Sequence, residues 1–126
     1  MNEEIRLRFA SGIKKFNDKD FYASHDILED VWFDTLGSDK SFYQGLIHLA
    51  VGFYHITEKK NSKGALLQLR KGIAKLTPFK PAYEGVELSK LLGKIEKCIN
   101  EIERLKDGKI EKLEIKLIPK ITFRNS

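Results

Sequence analysis

Residues 42–56, FYQGLIHLAVGFYHI, leave the chain few choices of fold. Wound as a helix, the stretch turns apolar side chains in nearly every direction, and a helix that is hydrophobic all round belongs in a protein interior. At about 1.5 Å per residue it is some 22 Å long, short of the ~20 apolar residues that span a bilayer. It therefore reads as the central helix of a globular bundle, with no membrane role. Gly45 and Gly52 stand seven apart on one of its faces, where a neighbouring backbone can approach closely. Gln44, His48 and His55 gather on another face.

The helices around this rod follow from periodicity. Ile5, Phe9, Ile13 and Phe16 recur at intervals of three and four, which predicts a first helix over about 2–16, with Glu3 and Glu4 suiting its positive end. Asn17-Asp18 breaks the pattern and supplies a cap for a second helix over about 19–36. On that helix Phe21, Leu28 and Trp32 form an apolar stripe with His25 and Glu29 inside it, and Asp26, Asp30 and Asp34 take the opposite, wet face. Gly37-Ser38 ends it, and Ser38 or Asp39 caps the central helix. After Asn61-Ser62, the spacing of Leu66, Leu69, Ile73 and Leu76 predicts a fourth helix with Arg70, Lys71 and Lys75 outside. Asn17-Asp18-Lys19 and Asn61-Ser62-Lys63 stand 44 residues apart, as the turns of two stacked helical hairpins would.

TPFKPAYEG, residues 77–85, is a proline-marked loop that Phe79 and Tyr83 pin to the bundle. A fifth helix over about 86–105 turns Leu88, Leu91, Leu92, Ile95, Ile99 and Ile102 inward and Lys90, Lys94 and Lys97 outward, ending at Asp107-Gly108. Beyond it, apolar and charged residues alternate from Leu113 to Leu117 in a strand-like pattern. A lone strand has no mate in a helical domain, so it either lies extended across the helices or pairs with its copy in a homodimer. The expected architecture is all-α: a compact bundle of about five helices, built as two helical hairpins plus a C-terminal helix. The single domain spans 1–126, with a helical core over 1–108 and an extended tail over 109–126.

A domain of this length buries about two-thirds of its unfolded surface and needs neither disulfide nor metal to fold. The single cysteine, Cys98, reads as a small core residue. With a charged opening, MNEEIRLRF, the chain is expected to be cytoplasmic. Its net charge of +5 is divided unevenly, −3 over residues 1–56 and +8 over residues 57–126. A basic half attracts RNA, DNA or an acidic partner, and Lys71, Lys75, Lys90, Lys94 and Lys97 are the candidates. Glutamates interspersed among them, and the scarcity of aromatics, also fit plain solubilising lysines.

Polar residues on apolar stripes carry the chemistry. His25 and Glu29 are four apart on one helix face, and antiparallel packing of helices two and three brings a central-helix histidine toward them. One set of roles is a buried network in which Glu29 accepts from His25 and Trp32 donates its indole N–H. Another is a ligand pocket lined by His25, Glu29, Trp32, Gln44, His48 and His55. A third is a zinc or iron site on His25, Glu29 and His48, with Gln44 or Asp26 as an extra ligand. No G-x-S-x-G stretch and no Gly-rich phosphate loop is present, so no reaction is named.

Phe16-Asn17, then Phe21-Tyr22-x-x-His25-Asp26-x-x-Glu29-x-x-Trp32, then Phe42-x-Gln44-Gly45-Leu46-Ile47 and Asn61-x-x-Gly64-Ala65 form a run of motifs. Over about residues 5–80 this run resembles the bacterial and archaeal family catalogued as domain of unknown function 309. The resemblance implies a compact all-helical domain without an assigned activity or cofactor. The family's usual Glu after the histidine is Asp26 here, a shorter carboxylate with less reach. The functional expectation is a binding module with a small-molecule or peptide ligand at the His25/Glu29/Trp32 face. The alternatives are an RNA-binding or acidic-partner module through the basic half, and a metal-dependent enzyme.

Overall fold

A computed structural model describes residues 2–124. Five helices carry it: α1 (Glu3–Asn17), α2 (Phe21–Phe33), α3 (Asp39–Glu58), α4 (Ser62–Leu76) and α5 (Ser89–Lys106). The all-α architecture expected from periodicity is the one found. The only strands among the described residues are β1 (Ala82–Tyr83) and β2 (Val86–Glu87), an antiparallel hairpin inside the proline-marked loop. Glu84 and Gly85, both at positive φ, close its two-residue turn. Phe79 and Tyr83 pack against Phe42, edge-on and tilted, at ring separations of 5.7 and 5.0 Å, pinning the loop as expected. Tyr83 also donates to the Asp39 carboxylate, which together with burial raises its phenol above the ordinary range.

α3 packs on α2 along one flank and on α4 along the other, with α1 against α2 and α5 against α4. Phe42, Leu46, Leu49, Ala50 and Phe53 are fully buried, and Phe16 meets Phe21 and Phe53 edge-to-face in an aromatic cluster between α1, α2 and α3. The rod is not covered all round. Gln44, Ile47, His48, Val51, Tyr54 and His55 make a half-buried outer stripe, left open between the flanking helices.

The glycine face is met by α4. A Cβ at Gly45 would stand 2.6 Å from Leu76 Cγ, one at Gly52 would stand 2.7 Å from Leu69 Cδ2, and one at Gly72 would stand 3.1 Å from the Gly45 carbonyl oxygen. Only hydrogen fits at these positions, and the two backbones close on each other there.

The hairpin repeat exists in a register different from that of the letters. The equivalent turns are Lys19-Asp20 and Lys60-Asn61: each lysine is left-handed, with φ of 65° and 49°, and each following residue caps the next helix. Asp20 accepts from Ala23 N at 3.2 Å and Asn61 accepts from Gly64 N at 2.9 Å. Asp20 rather than Asn17-Asp18 therefore starts α2, which ends at Phe33 before the predicted Leu36.

The tail corrects the strand expectation. Ile115 and Leu117 lie exposed in a short 3-10 turn, while Leu113, Ile118 and Ile121 are buried on the chain's own helices. Ile121 N donates to Asn17 Oδ1 at 2.7 Å and Ile121 O accepts from Asn17 Nδ2 at 2.9 Å. Leu113 and Ile115 border Lys60 and Ser62 of the other hairpin turn. The tail thus straps both turns, and Leu117 O accepts from the Cys98 thiol beneath it at 3.2 Å. Burial pushes that thiol up to about 11.

Candidate functional site

The inward stripe of α2 is Phe21, Ser24, Leu28 and Val31. Ser24 is admitted because its hydroxyl donates to Gly12 O at 2.8 Å, and Leu28 seats against the hydrogen of Gly12. This choice rotates His25, Glu29 and Trp32 away from the expected buried position toward the rim of the α2–α3 seam. His25 Nε2 lies 2.7 Å from Glu29 Oε1 and His25 Nδ1 lies 3.6 Å from Asp26 Oδ1. The Glu29 side chain is 53% exposed. The predicted His25–Glu29 contact is real, but it is a surface pair of roughly 0–1 kcal/mol, well below a buried one.

Trp32 does not join that network. The Lys40 ammonium sits 4.0 Å from the centre of its ring and donates to Trp32 O at 2.5 Å and Thr35 O at 3.1 Å.

The polar residues of the central helix part company. His55 faces the α2 seam, where Tyr22, His25, Val51, Tyr54 and His55 line a cleft of about 150 Å³. Tyr22 is 5.6 Å from Tyr54 and 5.8 Å from His25, centre to centre, and Tyr54 is 6.2 Å from His55. Among the described residues, His55 Nδ1 is buried without a hydrogen-bond partner. His48 turns to α4 instead, with Nδ1 2.8 Å from Gln68 Oε1, and Gln44 lies beside it in a groove bordered by Lys71, Ala74 and Lys75. The expected trio of His25, Glu29 and His48 is therefore not assembled. His25, Asp26 and Glu29 do bring three donor atoms within 4.8 Å of one another. Because the carboxylates approach opposite nitrogens of one ring, the arrangement offers an ion a single imidazole nitrogen.

The candidate lysines also separate. Lys71 and Lys75 border the α3–α4 groove, whereas Lys90, Lys94 and Lys97 lie exposed on α5. Sequence reasoning did not assign Tyr22 and Tyr54 to a cleft. The only signal was Tyr22 standing three before His25 and Tyr54 next to His55. It also missed Asn17 as the tail's clamp, for which no local signal exists.

These features define an all-helical domain of two hairpins with an imidazole and carboxylates on the second helix beside the central rod. Residues 9–67, the stretch from α1 into α4, match the family model described as Domain of unknown function (DUF309). The match is shorter than the span suggested by the motifs, with the loop, α5 and tail beyond it. No curated protein matches the chain. No described helix is long and apolar enough to cross a membrane.

Proposed function

We propose that the domain is a binding module for a basic peptide segment, one of whose cationic side chains enters the α2–α3 cleft. The observation that carries this reading is the convergence of four rings, Tyr22, His25, Tyr54 and His55, on one small cleft with Asp26 and Glu29 at its edge. Aromatic faces attract a Lys or Arg head group, and carboxylates at the rim complete its charge. The chain supplies a small example of this attraction, since its own Lys59 ammonium lies 5.7 Å from the Tyr54 ring centre. His55 Nδ1, which has no hydrogen-bond partner among the described residues, offers a further polar contact.

The test is fluorescence anisotropy with a labelled Lys/Arg-rich peptide and a control of equal length in which glutamine replaces each basic residue. The basic peptide is expected to bind at least tenfold tighter. Tyr22→Ala, at a half-exposed position whose loss leaves the core intact, is expected to remove most of that preference. Equal binding of both peptides, or of wild type and variant, refutes the proposal.

A further inference from the structure

The α3–α4 groove is a second place where the fold gathers chemistry, and it has the opposite charge. On α3, Gln44 and His48 stand four apart, and on α4, Lys71 and Lys75 stand four apart, so each pair shares a helix face. The glycine contact brings the pairs together. Gly72, next to Lys71, meets the carbonyl of Gly45, next to Gln44, so close that a Cβ there would stand 3.1 Å from that oxygen. With the backbones drawn in, the four polar side chains border one groove of about 590 Å³, with Ala74 as the remaining wall.

The groove is uncompensated. None of its bordering residues is acidic, and among the described residues neither Lys71 nor Lys75 has an ion-pair partner. The neighbouring Arg70 differs, being paired with Glu103. His48 Nδ1–H donates to Gln68 Oε1, which holds the ring and, in its neutral form, leaves Nε2 as a hydrogen-bond acceptor. Two ammoniums without an ion-pair partner and a side-chain amide can donate to a compact, doubly charged anion, and the imidazole Nε2 can accept from the hydroxyl of a monohydrogen phosphate.

We infer that the α3–α4 groove binds the phosphate group of a small phosphorylated molecule between Lys71, Lys75, Gln44 and His48. This site is independent of the α2–α3 cleft.

The probes are inorganic phosphate and pyrophosphate, added at constant ionic strength and followed through the ring-proton NMR signals of the three histidines. Saturable movement of the His48 signals, with those of His25 unmoved, is the expected result. Lys71→Ala/Lys75→Ala is expected to weaken pyrophosphate binding at least tenfold, and Lys90→Ala/Lys94→Ala on α5 to leave it unchanged. Both substituted pairs are exposed, and each variant's unchanged melting temperature certifies its fold. Equal losses in the two variants would mean diffuse attraction to a basic surface and would overturn the assignment. It is likewise overturned if the His48 signals stay still, or if a short RNA binds far more tightly than pyrophosphate and loses affinity mainly through the α5 substitutions.

Discussion

The two helical hairpins use the same parts to different ends. Each turns at a left-handed lysine, caps its second helix with an Asx residue and seats a leucine of that helix on a glycine of the first: Leu28 on Gly12, and Leu69 on Gly52. In α1–α2 Gly12 is the one glycine in either helix, and Ser24 adds a hydrogen bond to its carbonyl. In α3–α4 the approach continues through Gly45 and Gly72, so the pair is locked along its length. The locked hairpin supplies the rod, and the looser one turns a polar and aromatic edge outward. Density of backbone contact and display of chemistry are thus divided between two copies of one motif.

The comparison can be broken most directly at its glycines. Gly52→Ala forces a methyl to 2.7 Å from Leu69 Cδ2 and 3.2 Å from Leu69 N, and backbone cannot step aside. Overpacking of this kind costs about 3 kcal/mol, and the gain in helix propensity returns only about 1, so a loss of about 2 kcal/mol is expected in urea denaturation. At Gly12 the obstacles are side-chain carbons of Leu28 and Ile27, the nearest at 2.9 Å. There the two effects nearly cancel, and Gly12→Ala is expected within about 1 kcal/mol of wild type. Equal losses at the two sites would show that the hairpins are packed alike.

The caps sharpen the likeness. Asp20→Ala and Asn61→Ala are each expected to cost about 1 kcal/mol, because each removes the one side-chain acceptor at its helix start. The smallest effect on stability falls on the strap. Asn17→Ala removes both of its hydrogen bonds to Ile121 and is expected to leave the bundle folded while the tail opens more often. Cys98 reports this opening. Its buried thiol, held near 11, is mostly unreactive at pH 8, and release toward the ordinary value raises the thiolate fraction and speeds iodoacetamide labelling several-fold.

Much of the fold was legible because its signals are local. The periodic leucines and isoleucines of α4 and α5 gave their inward faces, and Gly45 and Gly52 announced a close neighbour, since residue type alone permits that contact. The face of α2 was misread because Trp32 looks like a core residue and Ser24 does not. The acceptor that admits Ser24, Gly12 O, belongs to another helix and is invisible in the local pattern. The same rotation decided how much of the site was readable. His25 and Glu29 were correctly paired, but their exposure and the parting of His48 from His55 depend on which flank of α3 each residue meets. Left-handed Lys19 and Lys60 carry no letter-level mark, and the tail's alternation suggested a strand because its 3-10 turn breaks the alternation only in space.

Residues 111–123 leave the ribosome after every helix they cover. Both hairpins can meet before then, yet the thiol of Cys98 and the turn at Asn17 stay uncovered until that segment docks on them. Closure by this segment accordingly follows the assembly of the helices, and a chain cut near Gly108 would expose, as bare apolar surface, the ground on which Leu113, Ile118 and Ile121 come to rest.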